Sequence, residues 1–132
     1  MTQENRELLL KDLCARLPYG IKFKADNEEY IREIHYIKDE NVYIREYRNL
    51  PYWIDTIKPY LRPLSSMTDE EREEYRKFSY YGAAGVRPYT HGDFVAVPSF
   101  EKMDYLNSHH FDYRGLIEKG LALKAPEGMY KK

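Results

Sequence analysis

Tyr30-Ile-Arg-Glu-Ile-His-Tyr-Ile-Lys-Asp-Glu-Asn-Val-Tyr-Ile-Arg-Glu-Tyr47 is the stretch on which the fold turns. It is dense in β-branched and aromatic residues and is interrupted once, by the polar run Lys38-Asp-Glu-Asn41. That pattern predicts two strands, over residues 29–37 and 42–47, joined by a tight hairpin. Tyr30-Ile-Arg-Glu33 recurs as Tyr43-Ile-Arg-Glu46, thirteen residues on. The echo is too short and too isolated for a repeat architecture. It does place like residues on two neighbouring strands. Side chains two apart share a face, so Tyr30, Arg32, Ile34 and Tyr36 group on one strand, and Tyr43, Arg45 and Tyr47 on the other. A tip near Glu40 sets Tyr36 opposite Tyr43 and merges the two sets into one face.

Ile21-Lys-Phe-Lys24 alternates like a third strand, and Asp26-Asn27-Glu28 is a turn signal. Connections this short exclude parallel pairing among the three, so an antiparallel meander is expected. A helix over Glu4 to Leu17 precedes it. Leu9, Leu10, Leu13, Cys14 and Leu17 recur at helical spacing, which makes Cys14 a buried structural thiol. Thr2 or Asn5 can cap its start. Pro18 closes the element and Tyr19-Gly20 supplies a turn.

Beyond residue 50 the elements are shorter. Pro51, Pro59 and Pro63 suggest a proline-bounded connector through Ser66, packed on the sheet. Thr68-Asp-Glu-Glu71 is a capping box opening a helix from Asp69 to Tyr80. Residues 81–98 carry Gly82, Gly85, Pro88, Gly92 and Pro98 and read as a mobile loop, with Phe94 to Val97 as its one strand-like run. Ser99 can cap a helix to Ser108. Asp112 is a good N-cap for a short helix over Tyr113 to Lys119. Phe111 and Leu116 would staple that helix, and Gly120 would close it. Residues 127–132 are expected to fray. The fold class is therefore α+β in a single domain, residues 1–132. A three-stranded antiparallel meander, SH3-like in curvature, packs with an N-terminal helix and two or three C-terminal helices.

Composition bounds the function. The chain has 132 residues, 33% of them charged, with 21 basic against 22 acidic residues and a net charge of −1. That balance gives no general attraction to polyanions or acidic membranes. No apolar run approaches the roughly 18 residues of a membrane span. The N-terminus lacks the basic-then-apolar layout of a signal peptide, so a cytoplasmic setting is expected. A single cysteine excludes an internal disulfide framework and a multi-cysteine zinc site. There are 14 tyrosines, which must supply part of the core and can also furnish a binding surface.

Three candidate sites follow. The first is the Tyr30/Arg32/Tyr36/Tyr43/Arg45/Tyr47 face. Aromatic rings with guanidinium groups suit single-stranded nucleic acid or a protein partner. The plainer account is a set of cross-strand pairs covered by arginine stems, and Glu33 and Glu46 weigh against a polyanion. The second gathers His91, His109, His110 and Asp112, which together can supply nitrogen and oxygen ligands to a metal or a His–Asp pair for acid–base work. No helix-borne ligand spacing supports it, and Asp112 already has a capping role. The third, Gly82-Ala-Ala-Gly85, has a backbone-clamp spacing but lacks a basic residue between its glycines. No phosphate loop, dinucleotide fingerprint or nucleophile elbow is present.

Three longer phrases carry a resemblance. They are Lys11-Asp-Leu-Cys-Ala-Arg-Leu-Pro-Tyr-Gly20, Lys58-Pro-Tyr-Leu-Arg-Pro-Leu-Ser-Ser-Met-Thr68 and Leu106-Asn-Ser-His-His-Phe-Asp-Tyr-Arg-Gly-Leu-Ile-Glu-Lys-Gly-Leu-Ala-Leu123. Together they resemble a group of small uncharacterised proteins of gut Bacteroides species, often encoded in prophage or other mobile DNA. The resemblance implies a bacterial cytoplasmic accessory protein and assigns no functional residue. The resulting expectation is a non-enzymatic protein-interaction module with no cofactor and no membrane span. Single-stranded nucleic-acid binding is the first alternative, and a small metal-dependent enzyme the second.

Overall fold

The computed structural model describes residues 1–47, 50–86 and 100–130. Helix α1 spans Gln3–Arg16, and the Thr2 hydroxyl caps it by accepting the Asn5 N–H at 3.1 Å. Leu9, Asp12, Leu13 and Arg16 form its buried stripe. Cys14, expected inside, is exposed. The stripe is rotated because positions 12 and 16, an acid and a base one turn apart, occupy it together. Pro18 converts the helix end to a single 3₁₀ turn over Leu17–Tyr19, and Gly20 closes it at φ +74°.

Strand β1 (Lys22–Ala25) buries Phe23 and Ala25 and leaves Lys22 and Lys24 half-exposed. The predicted strand over 29–37 is two strands. β2 (Arg32–Glu33) pairs antiparallel with β1, whereas β3 (Tyr36–Lys38) pairs antiparallel with β4 (Asn41–Tyr43). The change of partner falls between two adjacent residues. The Ile34 N–H donates to the Ile21 carbonyl at 3.0 Å, and the His35 N–H donates to the Tyr43 carbonyl at 2.7 Å. Asp39 and Glu40 form the hairpin tip at φ +51° and +63°, the signature of a two-residue type I′ turn. β5 (Tyr52–Trp53) adds to β4, giving a three-stranded antiparallel meander in the order β3-β4-β5.

The proline-bounded connector holds the main correction. After β5 and a 3₁₀ turn over Ile54–Thr56, the chain forms β6 (Ile57–Pro63), the longest strand and the hub of a second sheet. β6 pairs antiparallel with β1. Pro59 stands opposite Phe23, three residues along from the Asp26 N–H bond to the Thr56 carbonyl. Antiparallel ladders alternate, so Pro59 falls at a position that requires no N–H toward β1.

Beyond a 3₁₀ turn over Leu64–Ser66, α2 covers Asp69–Val86, six residues past its predicted end at Tyr80. Gly82-Ala-Ala-Gly85 is therefore helical. The rest of the predicted 81–98 loop, with its strand-like run, lies outside the described residues. The capping box forms as expected. The Thr68 N–H donates to Glu71 at 2.9 Å, and the Glu71 N–H donates to the Thr68 hydroxyl at 3.1 Å. Arg62 of β6 grips the same carboxylate through both terminal nitrogens, at 2.8 and 2.7 Å. Arg62, with the Thr68 N–H, lowers the Glu71 carboxyl to about 2 against the opposing effect of burial.

α3 (Phe100–Ser108) leads to β7 (Phe111–Asp112), and β8 (Leu123–Lys124) follows; both pair parallel with β6. The helix expected over 113–119 is a turn. Gly115 takes φ +73°, which halts helical propagation. Asp112 still caps, accepting the N–H groups of Leu116 and Ile117 at 2.9 and 3.0 Å.

The main core lies between α1 and the sheets and includes Leu9, Leu13, Phe23, Val42, Ile57 and Leu61. A smaller cluster of Tyr105, Leu106 and Phe111 sits under α2 and α3. Between them runs a buried polar seam. Arg16, fully buried, donates to both oxygens of Asp12 at 2.7 and 3.1 Å and to the Phe111 carbonyl at 2.6 Å. Arg114 adds a bond to Asp12 at 3.1 Å.

Candidate interaction surface

The pleat of the meander sorts its side chains. Val42 is buried, and Ile37 and Tyr52 pack against the main core. Tyr36, Lys38, Asn41, Tyr43 and Trp53 therefore stand on the other face. Tyr36 and Trp53 are exposed, at 38% and 41%. Tyr36 lies opposite Tyr43, as the hairpin pattern predicted, and the two rings stack with centroids 4.4 Å apart and planes 4° off parallel. Trp53 lies opposite Asn41, diagonal to Tyr43. Its ring rests 5.5 Å from the Arg6 guanidinium, which Asp55 holds by two bonds of 2.9 and 2.8 Å. The Asp55 bond keeps Arg6 more firmly charged than usual, and Arg6 lowers the Asp55 carboxyl in return. Trp53 falls in the stretch expected to be a proline-bounded connector, and the run Tyr52-Trp-Ile54 is the sequence signal for its strand.

Five of the six predicted site residues gather as two groups, and Arg45 stands apart from both. Tyr36 and Tyr43 occupy the outer face of the meander. Tyr30, Arg32 and Tyr47 collect at the edge of the other sheet, with the Arg32 guanidinium 5.2 Å from one ring and 5.6 Å from the other. No ring contact joins the groups among the described residues. Arg45 is exposed and lines an open cleft of about 410 Å³ with Glu33, Ile34, His35 and Glu46. The predicted single face is split because the chain changes sheets between Ile34 and His35.

Arg32 already has a counter-ion. Its Nε donates to Glu28 at 3.2 Å, and the Tyr52 hydroxyl donates to both Glu28 oxygens at 3.1 and 2.9 Å. The Glu28 bond raises Arg32 above its ordinary pKa, while burial and then the same carboxylate raise Tyr52. This group closes on itself and has little charge to offer a phosphate.

The histidine cluster does not assemble among the described residues. His91 lies outside them. His109 stacks on Tyr105 at 4.0 Å, while the neighbouring His110 turns inward, 3% exposed, and stacks on Tyr130 at 3.7 Å. Burial, then the charge of Arg16, depress His110 to about 3. Asp112 is spent on its turn. No group of three or more potential metal ligands occurs among the described residues. No helix among them is long and apolar enough to cross a membrane.

Scans against protein-family models, curated proteins and solved structures find no match to this chain.

Proposed function

We propose that this chain is a non-enzymatic protein-interaction module that binds its partner through the outer face of the β3-β4-β5 meander. One observation carries the reading: Tyr36, Tyr43 and Trp53 share an outward sheet face that bears no carboxylate. Large, rigid, half-exposed rings give contact area at low entropic cost, and such residues concentrate at the energetic centres of interfaces. The face joins aromatic rings to the polar Asn41 and Lys38, with Asp39 and Arg6 at its margins. The resemblance of its longer phrases to small Bacteroides proteins fits an accessory protein of a prophage or mobile element, working in the cytoplasm on a host or phage protein.

A nucleic-acid partner is the less favoured reading. Arg32 is paired with Glu28, and Arg45 stands beside Glu33 and Glu46. The test is capture from lysate of the encoding cells, with and without nuclease, by the wild type and by a Tyr36→Ala/Tyr43→Ala variant. A nuclease-resistant protein partner retained by the wild type and lost by the variant is expected. Recovery of nucleic acid alone, or equal capture by both forms, overturns the reading.

A further inference from the structure

The C-terminal segment covers a buried histidine. Residues 127–130, part of the stretch expected to fray, are docked, and Tyr130 packs against the main core. Its ring stacks on His110 with centroids 3.7 Å apart and planes 24° off parallel. His110 is 3% exposed and Tyr130 is half-buried, so the tyrosine is the outer of the two rings. The Ala125 N–H donates to the Leu61 carbonyl at 2.8 Å, the last bond of the β8 pairing. Beyond it, few bonds among the described residues tie the segment down. The Tyr130 hydroxyl accepts the Lys22 N–H at 3.0 Å and donates to the Tyr60 carbonyl at 2.8 Å. The Lys22 ammonium donates to the Met129 carbonyl at 3.3 Å.

His110, by contrast, is anchored from both sides. Its N–H donates to the Asn107 carbonyl at 3.1 Å, and its carbonyl accepts the Arg62 N–H at 2.7 Å. Arg16 holds the next carbonyl, that of Phe111, at 2.6 Å. The imidazole therefore meets water when its cover leaves, not by swinging out. Its surroundings favour the neutral ring. Nδ1 has no hydrogen-bond partner among the described residues, and neither has Nη1 of the buried Arg16. Arg16 from α1, Lys22 from β1 and His109 from the turn after α3 all oppose a positive charge on the ring, while the Tyr19 backbone favours one. Asp12 is already bound to Arg16 and Arg114, and Asp112 to the Leu116 and Ile117 N–H groups. Glu33 acts on the Tyr130 hydroxyl. A buried charge without a counter-ion is costly, and a few surface bonds are a weak restraint against it.

From this layering we propose that residues 126–130 are an acid-released strap latched by His110, docked over the imidazole while the ring is neutral and lifted away when it takes a proton. The strap yields before the body does because it is the outer layer and is lightly held, the character of a segment that opens locally. Its departure hydrates the imidazolium and frees the Lys22 N–H and the Tyr60 carbonyl from the Tyr130 hydroxyl. The device is independent of any role of the meander face.

The Lys22 amide reports the strap, because its acceptor is the Tyr130 hydroxyl. Its exchange protection is followed by NMR on the full chain between pH 7 and 4.5, with the Asp26 and His35 amides as markers of the body. Lys22 should be at least about tenfold less protected than either marker, as local opening requires. Below about pH 6.5 the open form takes a proton that the docked form refuses down to about 3, so Lys22 protection should fall about tenfold per pH unit. His110→Phe keeps a ring under Tyr130 but cannot titrate, and it should remove that slope; His110→Gln is the second variant if the first does not fold. In the wild type alone, protonation of His110 and loss of its ring stacking, read from its carbon-bound proton shifts, should share one midpoint. Lys22 protection equal to that of the body, a slope retained by a folded variant, or protonation of His110 with the stack intact overturns the proposal.

Discussion

Tyr36 and Tyr130 show two opposite uses of one residue type. Tyr36 stacks on Tyr43 at the surface, and its hydroxyl has no partner among the described residues. Tyr130 reaches inward from the C-terminal segment. Its hydroxyl accepts the Lys22 N–H at 3.0 Å and donates to the Tyr60 carbonyl at 2.8 Å, while its ring lies on His110. Burial raises the Tyr130 hydroxyl well above its ordinary pKa. The difference suggests how to sort the described tyrosines: a hydroxyl claimed by backbone marks a structural residue, and an unclaimed one beside other exposed rings marks a candidate surface.

The contrast between the closed interior and the open face can be broken most severely at Asp12. Asp12→Ala leaves the fully buried Arg16 uncompensated and should cost about 3–5 kcal/mol, read from urea unfolding. An Asp12→Leu/Arg16→Met double variant should recover much of that loss, because it removes both charges rather than one. Recovery no better than the single variant would show that the bond to the Phe111 carbonyl, rather than the ion pair, holds the seam.

Acid probes the same interior. His110 takes a proton near 6.5 when unfolded and near 3 when folded, so in that window the unfolded chain binds the extra proton. Its contribution is complete above about pH 6.5 and is lost as the pH falls toward 3. The decline should be about 2–3 kcal/mol between pH 6.5 and 4.5. His110→Gln should flatten the curve there. Glu71, depressed to about 2, adds a further loss in the same direction but only below about pH 4.5.

Smaller effects separate the two tyrosines. Tyr130→Phe strands the Lys22 N–H and should cost about 1–3 kcal/mol with no effect on partner capture. Tyr36→Ala should cost under about 1 kcal/mol in stability while weakening capture. Equal stability losses for these two would erase the distinction between them.

Much of this contrast was readable in the sequence, and for physical reasons. The Tyr36–Tyr43 register follows from a two-residue tip and a side-chain period of two. The Thr68–Glu71 box and the Thr2 cap depend only on local spacing. What escaped depends on distant partners. Pro59 and Pro63 looked like breaks, but β6 is held by residues near 23, 111 and 123, where its missing N–H groups are tolerated. Asp12 and Arg16 have the spacing of an ordinary surface pair, and only the carbonyl of Phe111, 95 residues away, explains their burial. On the outer face of the meander, the pairing of Tyr36 with Tyr43 was legible and the position of Trp53 was not, because a two-residue strand has too little pattern to declare itself. The six-residue face failed at one point, the change of sheet after Ile34.

The position of β6 also sets an order of events for the folding chain. Its antiparallel partner β1 lies some thirty residues upstream, whereas its parallel partners β7 and β8 lie about fifty and sixty downstream. The β3-β4 hairpin and the helices can form from near neighbours within microseconds. The hub strand must wait for chain ends that meet only by closing long loops, the slow class of contact. The non-local pairings of the hub strand, rather than the hairpin, are therefore expected to set the folding rate.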